Sequence, residues 1–103
     1  MMKLNELLKN VKVLAVNGPT DIEIAGVDID SRHIKAGYLF VAIRGTQADG
    51  HSYIGKAVEQ GAVAVLCETL PEALAEGVTY ITAGSTEDAV GPVATAFYGY
   101  PSE

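Results

Sequence analysis

Residues 27–54 read VDIDSRHIKAGYLFVAIRGTQADGHSYI, and the pattern of this stretch decides the fold. Residues 27–30 alternate apolar and acidic side chains, which indicates a half-buried strand. After a turn through Lys35-Ala36-Gly37, residues 38–43 form a nearly continuous apolar run, which indicates a strand buried on both faces. Each of these two strands is predicted to end in a polar loop.

The flanking sequence predicts helices alternating with further strands. Helices are predicted at residues 3–10 with Asn5 as a cap, at residues 52–60 with Gly61 as the C-cap, and from Ser85 to residue 97 or 98. In the last helix, Pro92 is predicted to cause a kink or a delayed start. Strands are predicted at residues 13–16, 22–29 with a bulge near Ala25-Gly26, 62–67 and 78–82. This order predicts one small α/β domain, with a mixed, mainly parallel central sheet flanked by helices and an antiparallel hairpin of the first strands.

Composition and charge restrict the classes of partner. The chain has 103 residues with 13 acidic and 7 basic side chains, a net charge of −6, which argues against a nucleic-acid or anionic-membrane surface. It has no apolar run of membrane-spanning length and no signal-peptide core after its first residues. The single cysteine, Cys67, cannot form an internal disulfide, so we expect a cytoplasmic location.

The two polar loops that follow the strands of residues 27–54 are the predicted ligand site. In open α/β sheets, ligands bind outside the carboxyl ends of the strands, where loop amides and helix N-termini can receive a phosphate. Ser31-Arg32 follows the first strand, and Arg44 to His51 follows the second. Arg32 and Arg44 are either diphosphate ligands or surface arginines, and the sequence leaves both alternatives open.

Other chemistry is not favoured by the residues present. Asp28 and Asp30 share a strand face but lack ligand-spaced His or Cys, so a solvated face is favoured over a metal site. Ser31 lacks the context of a hydrolytic nucleophile, and no Lys-Ser/Thr follows Gly50 as a Walker loop requires. His51 is predicted to cap the next helix, bond a loop carbonyl or touch a ligand phosphate. We therefore predict no catalytic and no metal-binding residue.

Several motifs in this order and spacing resemble one enzyme family. They are Asp30-Ser31-Arg32, Gly37, Leu39-Phe40-Val41-Ala42, Gly45, Asp49-Gly50-His51 and Gly61-Ala62. Together they resemble the N-terminal domain of Mur ligases, with the muramoyl-tripeptide synthetase (MurE type) first and the MurF type second. The resemblance covers nearly the whole chain.

The resemblance implies a substrate-recognition domain over residues 1–103. In such ligases the N-terminal domain holds the uridine diphosphate end of UDP-N-acetylmuramoyl-dipeptide, and the central and C-terminal domains bind ATP and the amino acid. Matching positions imply that Ile29 and Ser31 contact the nucleotide and that Thr46, Gln47 and Ala48 surround the uracil and diphosphate. Arg32 and His51 are further candidates for the diphosphate.

The parent enzyme implied by the resemblance is an ATP-dependent ligase that uses Mg²⁺ and forms an acyl phosphate. This chain lacks the Gly-x-x-Gly-Lys-Thr-Thr loop of that enzyme, so we expect no cofactor in this segment and no catalysis by it alone. The doubled Met at the start and the abrupt end at residues 100–103 suggest an excised domain, whose partners would be its own central and C-terminal domains. A MurF-type domain and a non-enzymatic α/β interaction module remain the alternatives.

Overall fold

A computed structural model describes residues 2–43 and 50–98 of the chain. The strands are β1 (Met2–Lys3), β2 (Val13–Asn17), β3 (Glu23–Ile24), β4 (Gly26–Asp28), β5 (Tyr38–Val41), β6 (Ala64–Cys67) and β7 (Thr79–Ala83). The helices are α1 (Leu4–Leu7), α2 (Ile54–Gln60) and α3 (Thr86–Tyr98), with 3-10 turns at Ser31–His33 and Gly50–Tyr53. In these residues the order of elements is that of an α/β domain.

A five-stranded mixed sheet organises the domain, in the order β2-β7-β6-β5-β4. The pairs β4–β5, β5–β6 and β6–β7 are parallel, and β2 is antiparallel to β7. The predicted mixed, mainly parallel sheet is thus confirmed. The predicted hairpin of the first strands is wrong, because β2 pairs with β7 and the short β3 pairs with β1 in a separate two-stranded sheet.

The central strands are buried on both faces because their alternate side chains enter two different cores. Leu39 and Val41 face the core under α1 and α3, whereas Phe40 and Ala42 face the core under α2. All four side chains are fully buried. The continuous apolar run at residues 38–43 is therefore explained by helices on both faces of the sheet.

The predicted strand of residues 22–29 is two strands in two sheets. The chain leaves the small sheet after Ile24 and enters the large sheet at Gly26, so the predicted bulge is a switch between sheets. Gly26 is needed there because a Cβ on it would lie 2.5 Å from Cζ of Tyr38. The ring of Tyr38 thus occupies the space that a side chain at residue 26 would need.

The helices begin and end largely where local signals place them. Gly61 ends α2 with φ of +118°, as predicted for a C-cap. The Ser85 hydroxyl accepts a hydrogen bond from the amide of Asp88 at 3.3 Å and caps α3, which then continues through Pro92 without a delayed start. The first helix differs, because α1 ends at Leu7 and is preceded by Lys3 at the cap position rather than Asn5.

Candidate functional site

The carboxyl ends of β4, β5, β6 and β7 lie in a row along one edge of the sheet, because these four strands are parallel neighbours. The segments that follow them contain most of the predicted site residues. Ile29 to His33 follow β4, and His51 lies in the connection after β5. This edge is where an α/β sheet binds its ligand.

The loop after β4 is shaped by two carboxylates. Asp28 Oδ1 accepts a hydrogen bond from the amide of Asp30 at 2.9 Å, and Asp30 Oδ1 accepts one from the amide of Arg32 at 2.9 Å. Such aspartate-to-backbone bonds form tight turns. Ile29, between the two aspartates, is 53% exposed. The carboxylates therefore build the loop that presents Ile29 to solvent, and within residues 2–43 and 50–98 no metal-ligand cluster includes them.

Ser31 lies at the start of the 3-10 turn and is only 6% exposed. Its carbonyl oxygen accepts hydrogen bonds from Nε2 of Gln60 at 3.1 Å and from the amide of Ile34 at 3.3 Å. The bond from Gln60 ties the backbone of Ser31 to α2, and the bond from Ile34 closes the 3-10 turn. In the described part of the chain, no residue is hydrogen-bonded to the Ser31 hydroxyl. The backbone of Ser31 is therefore held in place, while its hydroxyl has no bonded partner within that part of the chain.

Arg32 forms a two-point ion pair with Asp30. The distances are 3.1 Å from Nε to Oδ1 and 2.8 Å from Nη2 to Oδ2. The side-chain hydrogen bond from Arg32 holds the pKa of Asp30 well below its usual range, and the same bond raises the pKa of Arg32. The Arg32 side chain is 81% exposed. A diphosphate would have to share this guanidinium with Asp30, so its role as a ligand contact stays a prediction.

His51 is bonded to the backbone at the end of β6. Its Nε2 atom accepts hydrogen bonds from the amide of Glu68 at 2.9 Å and from the amide of Thr69 at 3.3 Å. An accepting Nε2 carries no proton, so this imidazole holds its proton on Nδ1. At Nε2, His51 therefore does not donate to a loop carbonyl, which was one of its predicted roles. Instead it accepts hydrogen bonds from two backbone amides.

Glu68 occupies the N-terminus of α3, and no sequence argument predicted it. Its Oε2 atom accepts from the amide of Thr86 at 3.0 Å and from the hydroxyl of Thr86 at 3.2 Å. A carboxylate at a helix N-terminus complements the helix dipole. The amide of Thr86 and the amides of Glu68 and Thr69 are therefore bonded to side chains of the domain itself. Among the described residues, this leaves the loop after β4 as the better position for a bound anion.

Tyr53 is a second residue that sequence reasoning missed. It ends the 3-10 turn that contains His51 and is 44% exposed. The pKa of Arg32 is raised chiefly by its hydrogen bond to Asp30, and Tyr53 makes the smallest contribution. An exposed aromatic side chain near a cation and a polar loop is a common contact for a planar ligand. The only signal in the sequence is its position two residues after His51.

Part of the predicted site lies outside the described residues. Thr46, Gln47 and Ala48 belong to residues 44–49, as does Arg44, so their assignment as nucleotide contacts stays a prediction. The described residues of the site are therefore Ile29, Ser31, Arg32 and His51.

A separate cavity lies on the β2–β7 side of the sheet, away from the loop that follows β4. It has a volume of about 270 Å³ and is lined by Asn10, Val11, Lys12, Gly84, Ser85, Asp88 and Ala89. These residues adjoin β2 and β7, whereas Ser31 follows β4, about 14 Å away from β7 at the usual strand spacing. This cavity contains none of the predicted site residues. The loop that contains Ser31 is therefore the better candidate for the binding site. No helix in residues 2–43 and 50–98 is long and apolar enough to cross a bilayer.

Comparison with known proteins gives a consistent result. The family model described as "Mur ligase family, catalytic domain" matches residues 23–98. A UDP-N-acetylmuramoyl-L-alanyl-D-glutamate--2,6-diaminopimelate ligase from Bacteroides fragilis is 59% identical over 101 residues, which are 98% of this chain and 21% of the relative. The ligase of the same name from Syntrophomonas wolfei is 43% identical over 102 residues, 99% of this chain and 21% of the relative.

Solved structures agree on the fold. A MurF crystal structure from Acinetobacter baumannii superposes with a TM-score of 0.78 at 21% identity, over 92% of this chain and 20% of that chain. MurF from Thermotoga maritima in complex with ADP superposes with a TM-score of 0.59 at 26% identity, over 71% of this chain and 16% of that chain. The chain spans about a fifth of the length of the curated relatives it matches.

Proposed function

The chain belongs to the Mur ligase family and resembles its MurE-type members over almost all of its length, and we propose that it binds the uridine diphosphate end of a UDP-N-acetylmuramoyl-peptide. The single observation that carries this proposal is the state of Ser31. Its backbone is fixed by two hydrogen bonds to its carbonyl, and its hydroxyl lies unbonded by any described residue at the carboxyl end of β4. A hydroxyl carried by a fixed backbone at such a position suits a charged oxygen of a ligand.

The proposed contacts divide between two loops. The Ser31 hydroxyl bonds the diphosphate, and the exposed side chain of Ile29 supplies an apolar contact beside it. Thr46, Gln47 and Ala48 surround the uracil and the diphosphate through backbone groups. Arg32 adds positive charge near the diphosphate while it remains paired with Asp30. Because the net charge of the chain is −6, amides and hydroxyls rather than a cluster of cations are suited to receive the anion.

We further propose the reaction of the longer protein. Its relatives are named as ligases that join 2,6-diaminopimelate to UDP-N-acetylmuramoyl-L-alanyl-D-glutamate, so this chain would serve the same step of stem-peptide assembly. ATP and Mg²⁺ would bind outside residues 1–103, since this sequence has no Gly-Lys-Thr phosphate loop. Activation of the substrate carboxylate as an acyl phosphate would take place there, and this domain would hold the nucleotide end of the substrate.

One surface feature favours a second candidate function, that of a protein-interaction module. Leu14 and Val16 of the edge strand β2 are 69% and 41% exposed, and they lie at the opposite edge of the sheet from the loop that follows β4. An exposed apolar edge strand can pair with a strand of a partner protein. An interaction module would depend on these residues, whereas the proposed nucleotide site would not.

Titration of the 103-residue chain with UDP, UDP-N-acetylmuramic acid and ADP, followed by amide chemical shifts, tests the proposal. We expect the uridine ligands, but not ADP, to shift residues 29–32 and 46–51. Ser31→Ala should lower the affinity by about ten- to a hundredfold, because a hydrogen bond to a charged group contributes about 1.5–3 kcal/mol. Leu14→Ser is the control that changes the β2 edge and should leave the affinity unchanged.

Two results would count against the proposal. Equal affinity of Ser31→Ala and the unchanged chain for UDP would remove Ser31 from the site. If the uridine ligands shift no amides of the folded chain, the titration is repeated on the full-length ligase, and absence of uridine binding there would refute the proposed function.

A further inference from the structure

We propose that His51 is a positioning residue of the nucleotide site, which through its Nε2 atom holds the 3-10 turn Gly50–Tyr53 against the end of β6 and does not bind the ligand through that atom. The inference rests on the proposed function, because it concerns how the same site is held in place. It assigns to His51 a role different from the phosphate contact predicted from the sequence.

The hydrogen bonds at Nε2 carry this inference. One nitrogen accepts from two consecutive backbone amides, those of Glu68 and Thr69, at 2.9 and 3.3 Å. Nε2 has a single lone pair in the ring plane, and both donors are directed at it, so this nitrogen cannot donate to a phosphate oxygen. Only the neutral ring with its proton on Nδ1 satisfies both amides.

The same bonds connect the turn before α2, the end of β6 and the start of α3. His51 lies in the connection between β5 and β6, its acceptor atom is bonded just after β6, and the Glu68 carboxylate is bonded to the first residue of the helix that follows β7. The N-terminus of α3 is thereby coupled to the turn that contains Tyr53. Loss of the His51 acceptor should therefore release the turn from the end of β6 and leave the two amides without this partner.

This turn is linked to the other half of the site through α2. That helix continues from the turn and supplies the Gln60 amide that donates a hydrogen bond to the carbonyl of Ser31. Displacement of the turn would therefore be passed through α2 to the backbone of Ser31. Errors of about 1 Å in such positions can weaken function by as much as about a hundredfold.

Three variants of the chain separate this role from a merely structural one. His51→Gln can place an amide oxygen near the position of Nε2, whereas His51→Ala removes the acceptor. His33→Ala is the matched control, since it removes the other histidine, whose side chain is 65% exposed and contacts Asp28 at 3.5 Å rather than Glu68. All three are made in the 103-residue chain, and affinity for UDP is measured together with imidazole and amide NMR signals.

We expect the imidazole nitrogens of His51 to show a neutral ring protonated on Nδ1, with the same pattern in the free and the UDP-bound chain. The amide signals of Glu68 and Thr69 should move in His51→Ala, return towards their original positions in His51→Gln and stay unchanged in His33→Ala. The affinity for UDP should fall about tenfold or more in His51→Ala and recover in His51→Gln.

Several outcomes would overturn the inference. A ring protonated on Nε2 would contradict the hydrogen bonds, and a large change at Nδ1 on addition of UDP would make His51 a direct ligand contact. Unchanged affinity and unchanged Glu68 and Thr69 amides in His51→Ala would remove any positioning role. If the original chain and the full-length ligase both fail to bind uridine ligands, the proposed function has failed, whereas binding by the original chain with no loss in His51→Ala is a failure of this inference alone. If His51→Ala does not fold, the imidazole signals and the His51→Gln affinity still decide the question.

Discussion

Replacement of Gly61 by alanine should destabilise the domain strongly, because this residue combines a backbone conformation and a close approach that only glycine permits. Its φ is +118°, and a Cβ atom there would lie 2.7 Å from Cα and 2.9 Å from N of Ala36. Both neighbouring atoms belong to the backbone of the turn before β5, so they cannot move as the end of a flexible side chain would. The amide of Gly37 in the same turn is bonded to the carbonyl of Gly61 at 3.0 Å.

The expected cost follows from these two effects. The left-handed conformation costs an L-residue about 1–2 kcal/mol, and forced overpacking costs about 1–3 kcal/mol. Gly61→Ala should therefore lower the free energy of unfolding by about 2–5 kcal/mol. For a domain of this size, that corresponds to a fall in Tm of about 8 °C or more.

Urea and thermal unfolding of the 103-residue chain measure this effect. Gly55→Ala is the matched control, because Gly55 lies in α2 with no atom within 4 Å of an added Cβ, and it should be stabilised by up to about 1 kcal/mol. Gly61→Asn should be less destabilising than Gly61→Ala, because asparagine tolerates the left-handed conformation better. Its Cβ atom would still clash with the backbone of Ala36. A Gly61→Ala chain within about 0.5 kcal/mol of the original would refute the reasoning.

Three further predictions concern single side chains. Glu68→Ala should cost about 1 kcal/mol through loss of the cap on α3, measured by urea unfolding against the exposed control Glu59→Ala, and equal stabilities would contradict the observed bonds to Thr86. The pKa of Asp30 is depressed by Arg32, so its stabilising effect is complete above the ordinary aspartate pKa of about 3.9 and is lost as the pH falls through the lower folded-state pKa. A carboxyl NMR titration should show this, and Arg32→Ala should move the midpoint towards the ordinary value, while the backbone amide of residue 32 still lowers it. Burial raises the pKa of the Cys67 thiol to about 11, so a thiol reagent at pH 8 should react with it only as fast as the chain unfolds, and rapid reaction in the folded state would disprove its burial.

Local patterns predicted much of the scaffold, because the information lies within a few residues of each element. The alternation of Leu39 and Val41 with Phe40 and Ala42 marks a strand covered on both faces, and the structure places these pairs in two separate cores. Ser85 and Gly61 are end signals for helices, and both lie where the helices begin and end. The family resemblance read from motif spacing is confirmed by the match to residues 23–98.

For the candidate site, the sequence identified the region but not its internal bonds. Ser31 and Ile29 were predicted as strand-end residues, and the structure places both after β4. Glu68 and Tyr53 carry no local pattern that marks them for this site. Their roles depend on Thr86 and Arg32, which are distant in the sequence, so only the folded chain reveals them.

The sequence by itself determined the class of fold, the burial of the central strands and the family, since each follows from periodicity, composition or motif order along the chain. Only the tertiary structure decided that β2 pairs with β7 rather than with its neighbour, that the chain changes sheets at Ala25, and that the Nε2 atom of His51 accepts two amides after β6. The physical reason is that these features depend on hydrogen bonds and packing between residues far apart in sequence. Their geometry is set when the two layers of helices close over the sheet.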